Sequence, residues 1–164
     1  MNIDEFNPED LIIAALKSEL EAKEVYTKMA DGVKNFILKD RLKFLASEEE
    51  KHRIFFETLY KKNFPEKKIV IPQTTPVPLP DMKGVFEGIP ISDMLQMAMD
   101  AEKVAHDFYL NLAERFTGDE AVLKTLKYIA SMELGHLRLL EIERTQVLEF
   151  EYFDDVWPMM HVGP

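Results

Sequence analysis

The chain repeats itself, and the repeat limits the folds open to it. Phe44-Leu45-Ala46-Ser47-Glu48-Glu49-Glu50-Lys51-His52 matches Tyr128-Ile129-Ala130-Ser131-Met132-Glu133-Leu134-Gly135-His136 at an offset of 84. Glu19-x-x-Ala22-x-x-x-Tyr26-x-x-x-Ala30 matches Glu102-x-x-Ala105-x-x-x-Tyr109-x-x-x-Ala113 at an offset of 83. The one-residue difference falls in the turn inside each half. A duplicated unit of this kind predicts a pseudo-twofold structure, with equivalent residues on equivalent elements.

Those elements read as helices. Residues 8–33 open with Asn7 as an N-cap, Pro8 at the first helical position and Glu9 and Asp10 in the first turn; Asp31-Gly32 reads as the stop. Apolar residues at helical spacing continue through 36–61, 91–116 and 119–147. Helices of this length would each span about 37 Å. The short turns inside each half make each pair an antiparallel hairpin. Neither hairpin can bury its apolar faces alone, so the two must pack together. Between them, residues 62–90 carry Pro65, Pro72, Pro76, Pro78, Pro80 and Pro90 with Gly84 and Gly88, too much proline for a helix. This stretch is expected to be a long crossover that lets the third helix run beside the second. The remainder, 148–164, is expected to be a tail that packs on the bundle or on a second subunit, because it holds Phe150, Tyr152, Phe153, Val156 and Trp157. The chain then forms a single all-α domain over 1–164.

The repeat also selects among crowded acids. Of Glu48, Glu49 and Glu50, only Glu49 has a glutamate counterpart, Glu133; Glu19 recurs as Glu102, whereas Glu21 pairs with Val104. Glu49 with His52, and Glu133 with His136, stand three residues apart and so share a helix face. Glu21, Glu24, Glu48 and Glu50 are therefore expected to be bystanders. Four glutamates inside a bundle would be four desolvated charges, costing several kcal/mol each if unpaired. Two divalent cations would balance them, with two neutral imidazoles completing the shell. Carboxylate-plus-imidazole ligation suits iron, manganese or zinc, and bridging carboxylates could hold two ions about 3.5–4 Å apart. His106 has Lys23 as its repeat partner and is expected at the surface, and His161 in the tail is expected to be structural.

Composition narrows the surroundings of such a site. There is no cysteine, which excludes disulfides, thiolate metal sites and iron–sulfur clusters within the chain. A net charge of −10 argues against nucleic acid or an anionic membrane as the main partner, and no run approaches the ~20 apolar residues of a membrane span. The acidic start, MNIDEFNPED, lacks the features of a signal peptide, so a cytoplasmic location is expected.

One Glu from each of two helices plus two Glu-x-x-His motifs is the pattern of ferritin-like dimetal carboxylate proteins. Glu-x-x-Ala-x-x-x-Tyr on helices one and three, with Glu-x-x-His on helices two and four, resembles the rubrerythrin branch over about 8–61 and 91–147. The resemblance implies a ferritin-like four-helix bundle with a di-iron centre, manganese or zinc being possible substitutes. It implies Glu19 and Glu102 as single-helix ligands, Glu49 and Glu133 as bridges, and His52 and His136 as terminal ligands. Tyr26 and Tyr109 would donate hydrogen bonds to the ligand carboxylates. The implied activity is reduction of hydrogen peroxide or dioxygen with an external electron donor, in a homodimer whose helices could be exchanged. The alternative is a non-catalytic iron-handling protein. Two departures stand out: the chain lacks the four cysteines of a rubredoxin domain, and Ala105 replaces an extra glutamate one turn after the third-helix ligand.

Overall fold

The structure is a computed structural model, and it describes residues 3–80 and 88–156. Four long helices build it: α1 (Pro8–Gly32), α2 (Phe36–Asn63), α3 (Ile91–Ala113) and α4 (Glu120–Val156). Local signals start three of them. The Asn7 side chain accepts from the backbone N of Asp10 at 2.9 Å, and Asn35 accepts from those of Ile37 and Leu38. Asp119 caps α4 by accepting from Val122 N at 3.2 Å. Each of these satisfies an amide that has no partner inside its helix. The end of α3 tightens into a 3₁₀ turn, Glu114–Phe116, before the Gly118 break.

The largest departure from the expected boundaries is in α4, which runs to Val156 rather than ending near 147. Residues 148–156, expected to be tail, contain no glycine or proline to stop a helix; Pro158 is the first. Trp157, His161 and the rest of 157–164 lie outside the described residues, as do 81–87 of the crossover.

Helix directions follow from cross-helix contacts. Tyr26 of α1 reaches Glu102 of α3, and Tyr109 of α3 reaches Glu19 of α1, so α1 and α3 are antiparallel. The three-residue turn makes α1 and α2 antiparallel as well. Hence α2 and α3 run the same way, and the crossover must return along the whole bundle. It contributes to packing as it passes: Val77 is buried in the core, with Phe64, Ile69 and Leu79 half-buried against it.

The core forms two apolar clusters at opposite ends. One joins Leu11–Leu16 of α1, Phe56–Tyr60 of α2, Phe108–Ala113 of α3 and Val122–Ala130 of α4. The other joins Val25–Ala30, Leu38–Ala46, Leu95, Ala98 and Leu140. Between these clusters lie the repeated acids and histidines. No described helix is long and apolar enough to cross a membrane. Leu112 is fully buried in the first cluster, and Leu112→Ala should lower stability by about 3 kcal/mol in urea melts. A loss under about 1 kcal/mol would show that the bundle end is not packed this way.

Candidate metal centre

The layer between the apolar clusters is polar and buried. Glu19, Glu49, His52, Glu102, Glu133 and His136 are all buried there, none more than 5% exposed. They come from all four helices, and the i,i+3 spacing aims both members of each Glu-x-x-His pair inward. His52 Nδ1 stands 3.5 Å from Glu19 Oε2, 3.3 Å from Glu49 Oε2 and 3.1 Å from Glu133 Oε1. His136 Nδ1 stands 3.0 Å from Glu49 Oε1, 3.0 Å from Glu133 Oε2 and 3.7 Å from Glu102 Oε2. Two four-residue groups result: Glu19, Glu49, His52, Glu133, and Glu49, Glu102, Glu133, His136, with donor atoms within 4.8 Å of one another in each. Glu49 and Glu133 belong to both, each turning one oxygen to each histidine. The two rings stack with centroids 5.7 Å apart.

These residues fit a pair of metal ions, and the test lies in their hydrogen bonding. His52 Nδ1, Glu49 Oε1 and Glu133 Oε1 are buried without a hydrogen bond of acceptable geometry, although imidazole and carboxylate atoms are in close approach. Buried polar atoms are normally satisfied. His136 Nδ1 and Glu133 Oε2 do hydrogen-bond, at 3.0 Å, but the atoms left without a partner converge as ligand atoms do. The set is carboxylate and imidazole, the donor chemistry of iron, manganese and zinc.

Tyr26 and Tyr109 fix the outer carboxylates, in an exchanged pattern. Tyr26 donates to Glu102 Oε1 and Tyr109 to Glu19 Oε1, so each tyrosine serves the glutamate of the other half. Such donors orient a ligand and hold its free oxygen. Burial, reinforced by the neighbouring carboxylates, pushes both phenols well above their usual range, so both keep their protons.

The bystander acids are engaged elsewhere. Glu48 pairs with Lys51, Glu50 with Arg53 and Lys23, and Glu24 with Lys28. Glu21 is buried and pairs with Lys17. His106, expected at the surface, is half-buried, its Nδ1 bonded to the carbonyl of Ala130 at 2.7 Å. It ties α3 to α4, as its repeat partner Lys23 ties α1 to α2 through Glu50. The repeat shows the equivalence of the two positions; it does not show the backbone acceptor on α4.

A feature without a sequence signal is a cavity of about 20 Å³ beside the cluster, room for about one small molecule. Glu19, Glu49, Glu102 and Glu133 line one side, Ala22 and Ala105 the helix walls, and Pro80 of the crossover its outer edge. Ala22 and Ala105 are repeat partners. Larger side chains there would close the space.

The electrostatics follow from packing acids without metal. Burial, with the Glu49 carboxylate adding to it, pushes Glu19 up to about 8. Burial and the Glu102 and Glu19 carboxylates push Glu133 up to about 8. Burial alone would lower His52, but Glu133, Glu19 and Glu49 outweigh it and hold the imidazolium up to about 12; His136 is raised likewise. Glu102 is lowered: burial raises it, and bonds with His136, Glu133 and Tyr26 more than offset that. With folded values for Glu19 and Glu133 above the ordinary 4.5, the folded metal-free protein holds more protons than the unfolded chain. The contribution of these groups to stability is therefore full below about pH 4.5 and declines as pH rises toward 8, with His52 extending the decline above 6.5. Urea midpoints of chelator-treated protein should fall steadily from about pH 5 to about pH 8. Metal-loaded protein should show the opposite trend, since ligands must be deprotonated to bind. Parallel pH profiles for the two forms would contradict this assignment.

Comparison with known proteins agrees with this geometry. The profile of the family described as Rubrerythrin matches residues 10–143. No protein of curated function matches the chain. Among solved structures, a hypothetical protein from Pyrococcus furiosus is similar at 33% identity and a TM-score of 0.82, over 91% of this chain and 95% of that one. A wild-type manganese catalase from Anabaena shares the fold at 21% identity and a TM-score of 0.61, over 99% of this chain and 79% of that one. Four helices with a buried, twofold-related Glu/His layer, matched by that profile over most of the length, place the chain in the rubrerythrin family.

Proposed function

We propose that the protein is a non-haem di-iron oxidoreductase that reduces hydrogen peroxide or dioxygen with electrons from an external donor. The observation that carries this reading is the pair of donor groups sharing Glu49 and Glu133 beside a cavity that admits only a small molecule. In this reading Glu19 and His52 would hold one ion, and Glu102 and His136 the other. Glu49 and Glu133, which belong to both donor groups, would serve both ions. Tyr109 and Tyr26 keep the outer carboxylates oriented. The apolar clusters above and below exclude water, and Ala22, Ala105 and Pro80 limit what enters. The chemistry that a bound pair of ferrous ions supplies is two electrons to the O–O bond of peroxide, which with two protons leaves as two waters. The chain has no cysteine, so it carries no thiolate electron-transfer centre to restore those electrons. They come from another protein or a small reductant.

Iron(II)-loaded protein mixed with peroxide should show a fast near-ultraviolet absorbance rise, and added reductant should sustain peroxide consumption without releasing dioxygen. Dioxygen release at half the peroxide consumed would instead indicate disproportionation, and no spectral change would indicate metal binding without turnover. Either result overturns the proposal.

Ligand roles are tested by metal analysis. Glu49→Ala or Glu133→Ala should lower metal content by more than one equivalent per chain, because each shared carboxylate serves both positions. Glu48→Ala should leave the stoichiometry intact and change stability by only about half a kcal/mol. Loss of metal from Glu48→Ala, or loss of a single ion from Glu49→Ala, would show the donor groups to be divided differently.

A further inference from the structure

An ion held in the metal layer must first reach it, and the six residues there are at most 5% exposed. The apolar clusters close the layer above and below. Among the described residues, three of the four lateral seams of the bundle are occupied. Lys23 bonds Glu50 across α1 and α2, and His106 bonds the Ala130 carbonyl across α3 and α4. The stacked rings of His52 and His136 stand between α2 and α4. The fourth seam, between α1 and α3, holds the cavity of about 20 Å³. Small side chains line it from both helices: Ser18 and Ala22, one turn apart on α1, and Ala101 and Ala105, one turn apart on α3.

The two walls are repeat partners, Ser18 with Ala101 and Ala22 with Ala105, but their outer flanks differ. On each helix the glutamate of the metal layer, Glu19 or Glu102, lies on the inner flank of that arc. On the other flank α1 carries Glu21, which lines the cavity, where α3 carries Val104. Glu21 is 3% exposed and pairs at 2.5 Å with Lys17, itself 8% exposed. Lys17 corresponds to Asp100 in the other half, so both members of the pair are peculiar to α1. Burying an ion pair carries a desolvation cost that apolar residues avoid, and the α3 wall is built without one. Neither Lys17 nor Glu21 belongs to the donor groups of the metal layer. Pro80 of the crossover, exposed to solvent, lines the same space.

We propose that divalent cations load the metal layer through the seam between α1 and α3, and that the Lys17–Glu21 pair sets the charge they meet at its outer edge. This rests on the metal-centre reading and not on the peroxide chemistry. The glutamates inside attract a cation, but a lone ammonium at the edge would repel it at close range. Glu21 cancels that charge, so an entering ion meets a neutral pair and a carboxylate beside its path. The cavity has room for about one water-sized molecule, so the ion sheds hydration as it passes, and oxygens of Ser18 and Glu21 take the place of water. Removing one partner of the pair leaves a single charge, whose sign depends on which is removed. Peroxide and dioxygen are uncharged, and the pair does not steer them.

Cobalt(II) added to the chelator-treated full chain reports loading through its visible absorbance. Glu21→Gln leaves Lys17 unbalanced and should slow loading about tenfold, whereas Lys17→Met leaves Glu21 unbalanced and should speed it by a similar factor. The chain carrying both substitutions is neutral at the edge again and should load at the rate of the unmodified protein. All four should reach the same final cobalt content, because neither residue is a ligand. The chain has no cysteine, so Ser18→Cys can be capped selectively with a methanethiosulfonate reagent. Capping there should slow loading at least about tenfold. The same cap on Asn111→Cys, at an exposed position of α3, should leave the rate unchanged. The capping experiment keeps the pair intact and decides the route where a charge variant fails to show native far-ultraviolet dichroism. Equal rates in the folded variants, equal slowing in all three, or loading undiminished by the cap at Ser18→Cys would overturn the proposal and leave the metal centre standing. An unmodified chain that binds no cobalt would overturn both.

Discussion

Four carboxylates buried in the centre of a helical bundle are the constraint around which the rest is organised. Isolated charges in such a place are too costly to persist, so each must meet a proton, a cation or a donor. Without metal, protons fill that role. Glu19 and Glu133 hold theirs to about pH 8, and both histidines stay charged between acids. A pair of divalent cations would replace those protons with a better match of charge and geometry. Loading and proton release are then one event, and the polar layer is held together in either state.

The helices answer this constraint in layers. The two apolar clusters lie above and below the polar layer, joined to it by residues such as Tyr109, whose ring packs against Phe56 and Phe108 while its hydroxyl meets Glu19. Packing and ligand orientation are thus functions of the same side chain. The walls formed by Ala22 and Ala105 show the converse, since small residues at repeat-related positions leave room that larger ones would fill. The crossover completes the enclosure, carrying Val77 into the core and Pro80 to the cavity rim.

What is legible in the sequence is whatever the repeat and helical spacing encode locally. Glu49 and His52 share a face wherever their helix is placed, and a second copy at Glu133 and His136 separates signal from the surrounding acids. The four-helix architecture follows from the same regularity. Information carried by tertiary placement is not legible. That Tyr26 serves Glu102 rather than Glu19 depends on α1 and α3 being antiparallel, which no spacing within one helix reveals. His106 finds a backbone carbonyl, an acceptor without identity in sequence. The end of α4 escapes the pattern because fading periodicity resembles a stop, whereas a helix needs a breaker, and none precedes Pro158.

The exchanged tyrosines bear on why the two halves share one chain. Half of this protein, taken alone, has a tyrosine whose glutamate lies in the other half and a glutamate whose tyrosine does too. A solitary hairpin would be incomplete, and two identical hairpins would complete each other. Two separate copies of such a hairpin would therefore have to meet before either was complete. The proline-rich crossover keeps both halves on one polypeptide, at an effective concentration of about millimolar that does not depend on expression level. The two halves still match at the tyrosines and glutamates that answer each other across the fold.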